Sequence, residues 1–221
     1  MFKSLSDIRN KVDQSKQSRS SRNDTNEGAF LKLKDGESVK LRFAQEFDST
    51  GPYFDERWSN ITVVEEHVNP DPSKFMLRAV CSLEDEGKCW GCEQTSLPEI
   101  GYKWRPKMRM YANVVVETPE GPKVKILASG FGDEAVASFL LEYAAEFGST
   151  MDRSYKLSRS GVGLDTSYKL FPVGNPGKPD LKKLEPIDAT KFVKFLPYAE
   201  QAAYLSGESK ETGGKPSDWV S

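Results

Sequence analysis

A chain of 221 residues, 37% of them hydrophobic, has room for one sizeable core beside polar segments. Its net charge of −2 excludes a globally basic nucleic-acid binder, so any polyanion-binding surface must be local. No apolar run approaches the roughly 18 residues of a membrane span, and the Met1-Phe-Lys-Ser-Leu-Ser start lacks the apolar stretch of a signal peptide, so a cytoplasmic protein without membrane association is expected.

In residues 1–9, Phe2, Leu5, Ile8 and Arg9 fall near helical spacing, which reads either as a docked turn or as a frayed terminus. Residues 10–28 are almost wholly polar and carry Lys11, Lys16, Arg19 and Arg22; together 1–28 reads as a basic, polar, flexible arm. The globular core is expected over 29–205. Phe30–Lys34 reads as a strand, Asp35-Gly36 as a turn, and Glu37–Phe43 as a second strand. Side chains alternate faces along a strand, so Val39, Leu41 and Phe43 share one side while Lys40 and Arg42 share the other. Ile61–His67 and Lys74–Cys81 read as neighbouring strands.

The stretch from His67 to Cys92 holds the single histidine and all three cysteines, spaced H-x13-C-x7-C-x2-C. His67, Cys81, Cys89 and Cys92 therefore read as a tetrahedral Cys3His site for one zinc ion, anchored in a subdomain of about 62–100. Two residues between Cys89 and Cys92 let both thiolates turn onto one ion, and Gly91 eases that turn. With every position filled by protein, the ion is expected to be structural. A deaminase pattern is excluded, because Val68-Asn69 follows His67 and Lys88 precedes Cys89.

From Tyr102 to Glu117 the odd positions Lys103, Arg105, Lys107, Arg109, Tyr111 and Asn113 alternate with Trp104, Pro106, Met108, Met110, Ala112 and Val114. At period two this puts four cations on one face of a strand, weakened at Pro106. Like charges on one face repel, and a polyanion relieves that repulsion. Glu117–Pro122 is a hairpin turn into Lys123–Leu127, and Phe131–Gly148 a helix with Val136, Phe139, Leu140 and Tyr143 as its apolar stripe. Ser154–Leu157 is a short strand. The Ser158–Leu164 loop lacks the Gly-Lys-Ser/Thr of a P-loop, so it marks no nucleotide site. Ser167–Val173 is a strand offering Tyr168 and Phe171 as further rings. Asp188 caps a helix over about 189–205, kinked or split at Pro197. Residues 206–221 read as a polar, flexible tail. With its one histidine on the metal, the chain shows no catalytic set and no enzyme is expected.

These motifs resemble the single-stranded DNA-binding (helix-destabilising) proteins of T-even phages, over roughly Met1 to Leu205. The carriers are Met1-Phe2-Lys3, Leu31-Lys32-Leu33, Arg42-Phe43, the His67/Cys81/Cys89/Cys92 set, Arg105-Pro-Lys107-Met-Arg109-Met-Tyr111-Ala112-Asn113-Val114, and Phe131-Gly132. The family's long acidic C-terminal segment has no counterpart in 206–221. The resemblance implies a mainly β, α+β chain: an OB-fold-like barrel with an inserted zinc subdomain and peripheral helices. It also implies sequence-independent binding of single-stranded DNA during replication, recombination and repair. Self-association through 1–9 follows from it too, and the tail's terminal Asp218-Trp-Val-Ser reads as a docking peptide for replication proteins or as a solvated end. On that reading Lys40, Arg42, Lys103, Arg105, Lys107 and Arg109 meet phosphates. Trp104, Tyr111, Tyr168 and Phe171 stack bases, at about 1–3 kcal/mol each. A zinc-ribbon adaptor for replication or transcription proteins is the alternative, and it leaves the basic strand unexplained.

Overall fold

The computed structural model describes residues 28–74, 77–174 and 177–208. The expectations for the arm and for nearly all of the tail, self-association and tail contacts included, lie outside these residues.

An antiparallel seven-stranded sheet dominates, with a few helices around it. Its strands are β1 (Ser38–Phe43), β2 (Thr62–Val68), β3 (Arg78–Val80), β4 (Lys107–Thr118), β5 (Gly121–Gly130), β6 (Ser154–Ser160) and β7 (Ser167–Val173). Their order is β3-β2-β4-β1-β6-β7, and β5 pairs with β4. β4 is the axis. One edge carries β5 from Arg109 to Thr118, while the other meets β2 over Lys107–Tyr111 and β1 over Val114–Val116. The alternation of β4 sends Met110, Ala112, Val114 and Val116 into the main core with Leu41, Phe43, Leu127, Leu157 and Leu170. Helix α3 (Val136–Phe147) closes that core with Val136, Ala137, Leu140 and Tyr143, and Gly148 ends it at φ 77°. Two one-turn helices, α1 (Leu83–Glu86) and α2 (Trp90–Glu93), lie between β3 and β4, and α4 (Tyr198–Ser206) ends the described chain.

Several expected elements differ. Phe30–Lys34 is no strand: only Phe30 bridges, to Ile126, and the rest is irregular. The basic strand starts at Lys107, because Gly101–Trp104 winds into a 3-10 turn ahead of Pro106, whose ring blocks earlier ladder pairing. α3 begins at Val136 rather than Phe131, and β6 runs on to Ser160. The helix expected over 189–205 is split. Asp188 caps a 3-10 turn over Ala189–Phe192, accepting from Thr190 N at 3.0 Å, and α4 restarts after Pro197.

The barrel implied by the resemblance does not close. Among the described residues β7 pairs only with β6, and the free edge of β5 takes backbone hydrogen bonds at Ile126, with Leu31 N (2.8 Å) and Ala29 O (2.7 Å). An opening remains between Leu127–Gly130 and Thr166–Tyr168.

Candidate metal centre and basic groove

His67 is the penultimate residue of β2 and β3 runs directly to Cys81; their register sets His67 opposite Ala79. Cys89 and Cys92 flank the turn that opens α2. His67 Nε2 lies 3.3 Å from Cys89 Sγ and 3.5 Å from Cys92 Sγ, and Cys81 Sγ lies 3.5 Å from Cys92 Sγ. All four donor atoms fall within 4.8 Å of one another, close enough to hold a metal ion. These separations approach the ~3.8 Å edge of a tetrahedron with metal–sulfur bonds of about 2.3 Å.

The surroundings fit a cation. His67 is fully buried, and its Nδ1 lies 2.6 Å from the Trp104 carbonyl, which accepts the ring proton and leaves the Nε2 lone pair facing the thiols. Burial holds the imidazole pKa below its usual value, against the Trp104 carbonyl and Glu65, so the neutral ligand form prevails. Burial also pushes the Cys92 thiol up to about 12, with Cys81 and Cys89 beside it adding to the effect, and raises Cys81. At Cys89 burial opposes ionisation, but backbone hydrogen bonds from Cys92 and Ser82 and side-chain hydrogen bonds with Cys81 and Cys92 together outweigh it, and its pKa is lowered. Neighbouring thiolates repel one another, and a bound cation is what allows all of them to ionise.

The packing leaves little freedom. A Cβ on Gly91 would sit 2.4 Å from His67 Cγ. Gln201 of α4, fully buried, accepts from Trp90 N at 3.0 Å and donates to Ser82 Oγ at 2.9 Å, tying α4 onto the ligand loop. Gly91→Ala is therefore expected to move the imidazole, weakening metal binding about 10–100-fold and costing about 1–3 kcal/mol of stability. Chelator competition and thermal denaturation measure both; an unchanged metal affinity would show that the close approach is dispensable.

The expected phosphate and stacking residues disperse. Tyr111 is 1% exposed and its hydroxyl donates to Glu66 Oε1 at 2.8 Å; Trp104 is 6% exposed, edge-on to Trp90 at 5.3 Å. Neither ring offers a stacking face, which corrects their assignment. On the face shared by Arg109, Tyr111 and Asn113, the last two are covered from Ile187 onward. Asn113 fastens that cover, donating from Nδ2 to Ile187 O (3.0 Å) and accepting from Ile187 N at Oδ1 (2.9 Å). Arg42 is spent on the backbone carbonyls of Met151 and Gly177. Lys40 is exposed but sits in a cross-strand row with Lys156 and Phe171, on β1, β6 and β7. Lys103 and Arg105 are exposed beside the 3-10 turn, with Lys103 5.8 Å from the exposed Tyr102 ring.

Lys107, Arg109 and Tyr168 do border a groove made of two neighbouring cavities that share Arg109 and Gly130 in their walls. Its first part, about 360 Å3, is lined by Glu66, Val68, Arg78, Lys107, Met108, Arg109, Gly130 and Phe131. The second, about 370 Å3, fills the opening beside β5 and takes in Lys32, Arg109, Leu127, Ala128 and Tyr168, with Asp133 and Glu134 at its lip. Sequence reasoning missed Arg78 and Lys32 as groove residues. The signal for Arg78 was its alternation with the buried Ala79 on a strand leading into a ligand cysteine.

No protein-family model, no curated protein and no solved structure matches the chain. Among the described residues, no helix is long and apolar enough to cross a membrane.

Proposed function

We propose that the chain binds single-stranded DNA without sequence preference, coating unpaired strand in replication, recombination and repair, and that one structural zinc ion holds its binding wall in place. The soft donor set of three thiols and one imidazole favours zinc. The ion supplies folding free energy and no reaction chemistry. The open sheet would be an OB-fold-like barrel left unclosed where strand enters.

The observation that carries the reading is the groove itself. Arg78, Lys107 and Arg109 crowd one end against the single carboxylate Glu66, which suits phosphates. The other end has an apolar floor of Leu127 and Ala128 beside Tyr168, with acids at the lip, which suits bases better than phosphates. Tyr168 replaces Tyr111 and Trp104 as the ring candidate within the groove.

Titrating an oligo-dT with the full chain at several salt concentrations, following intrinsic fluorescence, tests this. Binding should weaken with a log–log salt slope of about −2 for three neutralised phosphates, and duplex DNA should compete poorly. No binding at low salt overturns the reading.

A further inference from the structure

We propose that Arg78 and Arg109 form a clamp for one tetrahedral phosphate group in the first part of the groove. As a site for an internucleotide phosphate, the clamp rests on the strand-binding reading; as a site for a phosphate oxyanion, it stands on its own geometry.

Sheet register builds it. β2 pairs Val68 with Arg78 and Glu66 with Val80 on β3, and Val64 with Arg109 and Glu66 with Lys107 on β4. Paired residues project from the same face, so Arg78, Glu66, Lys107 and Arg109 rise from three adjacent strands around one cavity of about 360 Å3. Val68, Met108 and Phe131 add apolar lining to the same cavity.

The charges do not balance. The Arg78 side chain is only 14% exposed, and its carboxylate neighbour Glu66 lies at 3.9 Å, too far for a hydrogen bond. One oxygen of Glu66 is already taken by the Tyr111 hydroxyl. Arg109 lies 5.7 Å over the Tyr111 ring and close enough to Arg78 to disfavour its charge. The Nε of both arginines is buried without an acceptor among the described residues. Two guanidiniums and Lys107 thus share one carboxylate in a half-desolvated cavity. A tetrahedral oxyanion would relieve that repulsion and take bidentate hydrogen bonds from the guanidinium forks. The forks are held ready by the metal centre, since Glu66 immediately precedes His67 and β3 leads from Arg78 to Cys81.

The test compares wild type with Arg78→Met in two assays on the full chain. One is oligo-dT titration across salt. The other is thermal denaturation in inorganic phosphate against chloride at matched ionic strength. The clamp predicts about tenfold weaker oligo-dT binding and a salt slope shallower by about 1 in Arg78→Met, and phosphate stabilisation confined to wild type. Arg78→Lys should keep the slope and lose part of the affinity. If Arg78→Met fails to fold, the double variant Arg78→Met/Glu66→Gln removes cation and carboxylate together and is read in the same way. A variant that binds oligo-dT with unchanged affinity and slope overturns the clamp and leaves strand binding standing. A tenfold loss at unchanged slope marks a packing defect and also overturns it. If wild type binds no oligo-dT yet phosphate stabilises it and not Arg78→Met, the clamp holds and strand binding falls. With neither effect, both fall.

Discussion

Replacing Cys89 with serine should abolish stoichiometric metal binding and lower the melting temperature by about 8–16 °C. Cys89 is 1% exposed and is the donor nearest His67, at 3.3 Å. Without it the remaining donors no longer complete a tetrahedron, and the loop carrying α1 and α2 is left to its hydrogen bonds with α4, since neither one-turn helix has a side-chain cap. Loss of a structural metal belongs among the changes that cost about 4 kcal/mol or more. For a domain of this size each kcal/mol shifts the melting temperature by about 2–4 °C. Elemental analysis and calorimetry measure the two effects. A strong chelator should reproduce the drop in wild type and change nothing further in Cys89→Ser. The edge-to-face pair Trp90–Trp104 should report the loss in near-ultraviolet circular dichroism, because the Trp104 carbonyl holds His67 at 2.6 Å. Unchanged metal stoichiometry in the variant would refute the site.

Glu46→Ala should destabilise the chain by about 3–5 kcal/mol without touching metal content. Glu46 is 3% exposed, and its carboxylate accepts from Ser149 Oγ (2.6 Å), Thr150 N (3.0 Å) and Thr150 Oγ1 (3.1 Å). These bonds tie the segment after α3 to the end of β1. The same segment supplies Met151 to the satellite core with Trp58, Val115 and Leu181. Truncation leaves buried donors unpaired, at about 1–3 kcal/mol each, and opens a cavity beside Gly51, whose own Cβ would meet Glu46 Cγ at 2.6 Å. Urea denaturation measures the loss. A change below about 1 kcal/mol would mean that water replaces the carboxylate. The sequence offers no hint of this role, since nothing local marks Glu46 as interior.

The cluster of four donors was legible because its information is local. One histidine and three cysteines within a short segment leave few other pairings, and the Cys-Trp-Gly-Cys turn brings two donors together on its own. Strand alternation was equally legible. Arg109, Tyr111 and Asn113 do share a face of β4, and Met110, Ala112 and Val114 do line the core. What alternation could not say is which faces solvent reaches. Tyr111 and Asn113 lie beneath the segment starting at Ile187, some seventy-four positions away in the chain. A covered face and an open face have the same period. Arg42 is the same case: its backbone acceptors, Met151 and Gly177, are brought to it by long-range folding.

By itself, then, the sequence determined the alternation of its strands, a Cys3His group, and a run of cations entering β4, because spacing and periodicity are properties of neighbours along the chain. Only the tertiary structure decided which of those cations share a cavity, that Arg78 joins Arg109 there, and that the sheet stays open beside β5. Those depend on cross-strand register and on which distant segment packs over each face.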